Sequence, residues 1–251
     1  MQNNAVFDKI AYQYDENRGG EDRGKRFAGH LLPLLQRDTR VLEIGVGTGV
    51  VAAALQSAGV SIIGIDASKE MLKRAEARLN HLVWSDMNKL PFLDAYFGSA
   101  YSVWALHLSN SVPDMLKEIR RTLKSGGCFL NCSAVNRDLV EVNDAAEKII
   151  WEMHSALAGA ELTVDAPHQL EGYAPDAGYL FERVVDIKRN YETTPNELAL
   201  HIERRGMSIL QQATDDQVRD IIAPTVKALR ALPDEKLRRN RVHQISVLRA
   251  I

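Results

Sequence analysis

The sequence predicts an α/β protein: a doubly wound, mainly parallel sheet of seven strands with a helical cap inserted after the fifth. Three observations carry that reading. From Val41 to Cys132, short apolar or β-branched runs alternate with segments of helical periodicity. The first run passes into a helix through Gly45-Val46-Gly47-Thr48-Gly49, where three side chains are missing from five positions. After Ser133 the alternation stops, and a long helical stretch precedes two further strand-like runs.

Phe7, Ile10, Ala11 and Tyr14 recur at helical spacing, so the chain opens with a short amphipathic helix, and Asp15-Glu16-Asn17-Arg18-Gly19-Gly20 reads as its stop and a loop. A second helix is predicted from about Asp22 to Leu35, with Pro33 near its end. Val41 to Ile44 is the first strand, Val50 to Ala58 an alanine-rich helix closed by Gly59, and Ser61 to Ile65 the second strand. Lys69 to Leu79 is helical, and His81 to Trp84 and Phe97 to Val103 are strands three and four. Pro113 to Leu123 is a helix with proline in its first turn, and Ser125-Gly126-Gly127 turns into strand five at Cys128 to Cys132. Beyond it, Leu139 to Leu157 is helical, Ala158 to Gly178 mixed and turn-rich, and Phe181 to Tyr191 alternates like a strand. Thr194-Pro195-Asn196-Glu197 starts a helix that Gly206 stops, Asp215 to Leu232 is another, and Arg241 to Leu248 is the last strand. The expected organisation is a helical lid over 1–35, a cofactor-binding core over 36–133, a cap over 134–180 and the rest of the core sheet over 181–251.

With 251 residues, 45% of them hydrophobic, the chain can bury one large core and a smaller cap. Lys and Arg total 31 against 33 Asp and Glu, a net charge of -2, which leaves no basic footprint for nucleic acid. Its apolar stretches fall short of the roughly 18 to 20 residues that span a bilayer, and Met1-Gln2-Asn3-Asn4 lacks a signal-peptide layout. The expectation is a cytoplasmic protein with neither nucleic acid nor membrane as partner; no feature bears on oligomeric state. Cys128 and Cys132 match no zinc or redox spacing and read as buried thiols, so no metal site is expected.

Gly45, Gly47 and Gly49 stand where a strand hands over to a helix, the place in an open α/β sheet where backbone N–H groups face a ligand. Asp66 ends the second strand roughly 20 residues later, the spacing of a carboxylate that accepts from ribose hydroxyls. Its alternative duty, capping the helix that begins near Lys69, could fall equally on Ser68. Asp86 follows the third strand at the same edge, where an acceptor can meet an exocyclic amine. The loop differs from the dinucleotide G-x-G-x-x-G pattern, and no Gly-Lys-Ser/Thr closes it as a P-loop would.

Glu43-Ile44-Gly45-Val46-Gly47-Thr48-Gly49, Gly64-Ile65-Asp66-Ala67-Ser68-x-x-Met71-Leu72, Asp86-x-x-x-Leu90-Pro91-Phe92 and Leu123-Lys124-Ser125-Gly126-Gly127 resemble the successive motifs of class I S-adenosylmethionine-dependent methyltransferases. The flavour is that of the small-molecule group containing ubiquinone and menaquinone biosynthesis enzymes, and the match covers residues 1–132. The resemblance implies a Rossmann-like methyltransferase fold with S-adenosylmethionine as cofactor. It implies that Gly45, Gly47 and Gly49 approach the methionine and ribose, that Asp66 holds the ribose hydroxyls, and that Asp86 accepts from the adenine amine. Ala67, Met71 and Met87 would line the adenine pocket, with Ser102 part of the cofactor set, and Tyr14 and Arg18 would close over the methionine end. Arg18 offers a planar fork to a carboxylate.

Two departures from the family pattern are visible. No acid follows Phe97, where the family commonly has one, which removes a surface partner. Ser102-Val103-Trp104-Ala105-Leu106-His107 stands in place of the Asn/Asp-Pro-Pro-aromatic loop that resembles catalysts of nucleobase-amine methylation, which disfavours DNA-base amines as the substrate. Methyl transfer from a sulfonium is an in-line displacement in which positioning supplies much of the acceleration. A base helps when the acceptor must lose a proton, and His107, just past the fourth strand, is the candidate. His154, His168, Tyr173 and Tyr179 come from the insertion that could select the acceptor. A nicotinamide-dependent dehydrogenase and a non-catalytic cofactor-binding protein are the competing readings.

Overall fold

In the computed structural model, which describes residues 4–133, 142–158, 164–211 and 213–251, the central strand β1 (Val41–Ile44) is buried along its whole length. Only a strand covered on both faces tolerates that. It pairs in parallel with β2 (Ile62–Asp66) on one side and β4 (Phe97–Val103) on the other, Ile44 standing opposite both Ile65 and Ser102. β3 (Leu82–Trp84) extends the sheet beyond β2, and β5 (Leu123–Cys132) beyond β4, both parallel. β6 (Tyr179–Thr193) and β7 (Leu237–Ala250) complete the order β3-β2-β1-β4-β5-β7-β6, with β7 antiparallel to β5. The order reverses at β1, which opens a crevice at the carboxyl ends of β1 and β4 where open α/β sheets bind ligands.

Helices α1 (Asn4–Ile10), α2 (Tyr14–Arg18) and α3 (Gly20–Leu31) precede the sheet, and α4 (Val50–Ser57), α5 (Lys69–Ala75) and α6 (Val112–Thr122) connect its strands. Phe27, Leu31, Val51, Leu55 and Ala75 join Tyr101 and Leu130 in one apolar cluster, while Leu42, Ala100 and Phe129 join Met115, Leu116 and Ile119 in another. The side chains of α6 show why it forms: Val112, Met115, Leu116 and Ile119 recur at steps of three and four, and the Ser111 hydroxyl accepts the Asp114 N–H at 3.3 Å as its N-cap.

Several elements depart from their expected limits. Asp15 to Arg18 is a helical turn rather than a loop, ended by Gly19 at φ +84°, and the second helix stops at Leu31 in a 3₁₀ turn containing Pro33. The Ser125-Gly126-Gly127 turn is absorbed into β5 as an irregularity, since Phe97 faces Leu123 but Ser99 faces Cys128. The single helix expected from Asp215 to Leu232 is interrupted. After α7 (Ala145–Ala158), α8 (Pro167–Tyr173), α9 (Pro195–Glu203) and α10 (Ser208–Gln211) come α11 (Asp215–Gln217), a π turn over Val218–Ile222 and α12 (Ala223–Arg230). Pro224 lacks the N–H that an unbroken α-helix would need there, and the wider turn absorbs the mismatch.

The chain divides into two compact units: Met1–Ala134 with Val164–Ile187 and His243–Ile251, and Val135–Thr163 with Lys188–Val242. This redraws the boundaries expected at 134, 180 and 181. Leu170 of α8 and Ala174 just after it belong to an apolar cluster of the sheet, so the second half of the predicted cap goes with the first unit. Ile150 and Met153 of α7 instead cluster with Leu198, Ile202, Val226 and Leu229, so the second unit is assembled from two inserted segments. Inside it, Glu147 binds Arg239 at 3.2 Å and Arg241 at 2.8 Å. The parts of the predicted cap at 134–141 and 159–163 lie outside the described residues. Among the described residues, no helix is long and apolar enough to cross a membrane.

Candidate functional site

The glycines after β1 adopt φ of +70°, +55° and +81°, a conformation that L-residues with side chains rarely take. Their surroundings differ. A Cβ on Gly45 would lie 2.4 Å from the Ala105 Cβ, and one on Gly49 would lie 2.9 Å from Leu79 Cδ1 and 3.2 Å from Ala75 Cβ. On Gly47 it would meet nothing within 4 Å. Gly45 therefore permits the approach of the segment after β4, Gly49 permits the packing of α4's start against α5 and Leu79, and Gly47 borders open space.

The Gly47 N–H donates to Asp66 Oδ2 at 2.8 Å, and the Ser68 N–H donates to Asp66 Oδ1 at 2.9 Å. Burial pushes the Asp66 carboxyl above its usual range, while these N–H bonds act in the opposite direction. Capping of α5 falls to Ser68, whose hydroxyl accepts the Met71 N–H at 3.1 Å and donates to Asp8 Oδ1 at 2.5 Å. Asp66 is therefore not the N-cap of α5. Asp86, exposed at the end of β3, accepts the N–H and the side-chain amide of Asn88 on Oδ1, at 2.9 and 2.6 Å.

Gly45, Gly47, Asp66, Ala67, Met71, Asp86, Met87 and Tyr14 all border one cavity of about 420 Å³ at the carboxyl edge of the sheet. The volume lies in the range of small-molecule sites, roughly 300 to 1,000 Å³. Phe7 of α1, Asn88, and Trp104, Ala105, Leu108 and Asn110 complete much of its wall. The periodicity of the opening helix flags Phe7 only as an apolar position, and the hinge after β4 carries no spacing signal. Trp104 takes φ +57°, an outlier for a bulky residue, and it borders the cavity. Its ring meets Phe27 edge-on at 5.1 Å.

The start of the chain is bound to the glycine turn by a group unseen in the sequence. Asp15 accepts from the Thr48 hydroxyl at 2.5 Å and pairs with Arg78 at 2.9 Å, and Arg78 also donates to the Thr48 carbonyl at 2.9 Å. Over the Tyr14 ring lie two guanidinium groups, Arg18 at 5.7 Å and Arg23 at 5.3 Å, the latter also 5.5 Å from the Trp104 ring. Arg23 escaped sequence reasoning because a charge in a helix reads as solvated, yet it is buried.

Four expected site residues stand outside the cavity wall: Arg18, Gly49, Ser102 and His107. Gly49 serves packing, as above. Ser102 is wholly buried within the sheet, opposite Ile44 and Asn131, so its expected contact with cofactor is corrected to a place in the sheet interior. Burial lowers the pKa of Arg18, with Tyr14 acting against the shift. His107 sits on the 3₁₀ turn Leu106–Leu108 directly after the cavity residue Ala105. Burial lowers its pKa, the Asp165 carboxylate raises it and Arg18 lowers it. Glu43, behind the turn, accepts the Tyr101 hydroxyl at 2.8 Å, and burial pushes its carboxyl up to about 8.

The crevice at β1, the turn with its bound carboxylate and the second acid at the end of β3 all lie in a part of the chain that is similar to known methyltransferases. Residues 42–131 match the family described as methyltransferase domain. Over 164 residues the chain is 28% identical to malonyl-[acyl-carrier protein] O-methyltransferase of Pseudescherichia vulneris, covering 64% of each. Over 131 residues it is 32% identical to demethylmenaquinone methyltransferase of Corynebacterium kroppenstedtii, covering 51% of this chain and 57% of that one. The matched stretches span less than two thirds of these relatives' own length. The solved structure of a Haemonchus contortus phosphoethanolamine N-methyltransferase, in complex with phosphomonomethylethanolamine and S-adenosylhomocysteine, shares the fold. Its TM-score is 0.57 at 16% identity, over 97% of this chain and 57% of that one.

Proposed function

We propose that the chain transfers a methyl group from S-adenosylmethionine to a small-molecule acceptor. The observation that supports this most is the convergence of Gly47, Asp66 and Asp86 on one 420 Å³ cavity. The residues suit the cofactor: Gly47 has open space where a side chain would stand, and Asp66 keeps lone pairs beyond those taken by Gly47 and Ser68 for the ribose hydroxyls. Asp86 has its Oδ2 for the adenine amine, since Asn88 takes Oδ1. Ala67, Met71 and Met87 give the adenine apolar walls. Arg18 and Arg23, stacked on Tyr14, bring positive charge toward the methionine carboxylate.

When bound, the cofactor supplies an electrophilic methyl group on a sulfonium whose departure leaves a neutral thioether. The protein's part is alignment: the rigid turn and the β4 hinge with Trp104 and Ala105 hold donor and acceptor in line, which replaces a bimolecular encounter with a positioned one. His107, one turn further on, takes the acceptor's proton.

Calorimetry with S-adenosylmethionine, S-adenosylhomocysteine and NAD tests the cofactor. Binding of the first two, lost in Asp66→Ala, is expected; NAD binding in their place, or no binding of either sulfur compound, overturns the reading. Release of labelled methyl to a small-molecule panel then tests the transfer.

A further inference from the structure

The second unit holds a cavity of its own, about 680 Å³, bordered by α9, the π turn and α12. Ile202, Val218, Ile222 and Val226 give it aliphatic walls, while Arg205, Lys227 and Arg230 set three positive charges against the one negative charge of Glu203. Arg230 pairs with Glu203 at 2.8 Å, whereas Lys227 forms no ion pair among the described residues. Among the described residues, no aromatic, hydroxyl or amide side chain lines the cavity. Two backbone irregularities meet there. The end of α9 is closed by the Arg205 N–H on the Ile202 carbonyl and the Gly206 N–H on the His201 carbonyl, at 2.9 Å each, a pattern whose left-handed residue is usually glycine. Here that residue is Arg205, at φ +52°, although Gly206 stands one position further on. Such strain gathers at ligand sites. The π turn Val218–Ile222 contributes Val218 and Ile222 to the wall, and π turns inside helices are frequent at functional sites.

We infer that this cavity binds a free fatty-acid anion, its chain along the aliphatic walls and its carboxylate at Lys227, with Arg205 adding positive charge. Aliphatic walls without a neutral polar side chain suit a chain of methylenes, whereas a polar ring needs convergent hydrogen-bonding groups. The excess of positive charge selects an anionic head over a neutral or cationic one, and the ammonium of lysine meets a carboxylate as a point charge. Lys227 and Arg230 stand in the last turn of α12. Cations there also offset the partial charge of a helix end, but that role calls for neither aliphatic walls nor a strained arginine. The site shares no residue with the cavity at the sheet edge and is independent of the methyl-transfer reading.

The test is calorimetry on the full chain with octanoate, decanoate and dodecanoate, each below its micellar concentration, and with dodecanol, dodecylamine and vesicles of anionic phospholipid as the other arms. Affinity for the acids is expected to rise about fourfold for each methylene that the cavity buries, and dodecanoate is expected to bind more tightly than the alcohol or the amine. Lys227→Gln should weaken dodecanoate binding about two- to fivefold, while Glu203→Gln, which releases Arg230 from its pair, should tighten it. Ala223→Trp, at an exposed position of the wall, fills the space and should abolish binding. Thermal unfolding reports that each variant is folded. No binding of dodecanoate, equal binding of dodecanol or dodecylamine, binding unmoved by Ala223→Trp, or binding to the vesicles alone overturns the inference.

Discussion

Gly47→Ala separates what the glycine turn does for the ligand from what it does for the fold. Holding an L-residue in the left-handed region costs about 1–2 kcal/mol, and at φ +55° alanine would incur that cost. The smaller entropy of the unfolded chain aggravates nothing; it returns about 0.4–1 kcal/mol in the variant's favour. Because the new Cβ meets nothing within 4 Å, no packing penalty is added. The net loss is about 1 kcal/mol, a fall in Tm of about 2–4 °C for a chain of this size. Gly45→Ala carries the same backbone cost plus a Cβ 2.4 Å from that of Ala105, an overpacking worth about 1–3 kcal/mol more. Ligand affinity reverses the emphasis, since the Gly47 methyl stands in the cavity; a similar steric cost there corresponds to binding weaker by roughly 5- to 150-fold. Thermal unfolding without ligand and calorimetry with S-adenosylhomocysteine measure the two effects. Wild-type affinity in Gly47→Ala, or a greater loss of stability than in Gly45→Ala, would refute the reasoning.

Asp66→Asn turns an amide NH₂ toward the Gly47 or Ser68 N–H that the carboxylate now accepts. It is expected to cost about 1–3 kcal/mol by urea unfolding, with S-adenosylhomocysteine affinity falling at least about tenfold. Glu43 sets a pH dependence: burial raises its carboxyl from 4.5 to about 8, so the native state keeps a proton that the unfolded chain gives up. Its contribution is greatest below the unfolded value and declines as pH rises through this window, by about 1.4 kcal/mol per pH unit. Urea unfolding across that range should show the slope, and Glu43→Gln should flatten it. In the second unit, Glu147→Ala leaves Arg239, whose side chain is 4% exposed, with Asp144 as its remaining carboxylate and removes the carboxylate to which Arg241 donates. A loss of about 1–3 kcal/mol is expected, read as faster hydrogen exchange in α7 and α12.

Much of the first unit was legible because its signals are local. A parallel strand buried on both faces favours apolar residues, as in Val41 to Ile44 apart from Glu43, and a turn at positive φ favours glycine, as at 45, 47 and 49. Asp66 and Asp86 could be placed at one edge because each ends a parallel strand. Gly49, Ser102 and Arg23 show the limit. Whether a glycine spares a ligand or a neighbouring helix depends on what packs above it, and Leu79 lies too far along the chain for any spacing rule to connect the two. Ser102 lies next to the end of β4 much as Asp66 ends β2, but it is fully buried, in register with Asn131 of β5.

Local chemistry in the chain thus dictated the alternation of strands and helices, the bare turn and the acids at the strand ends, since each depends on neighbours within a few residues. Three-dimensional packing settled the rest: the joining of 135–163 with 188–242, the tie of Asp15 to Arg78, and the meeting of Asn131 with Asp165. Those contacts link residues far apart in the chain, and burial of apolar faces, which no short pattern encodes, is what selects them.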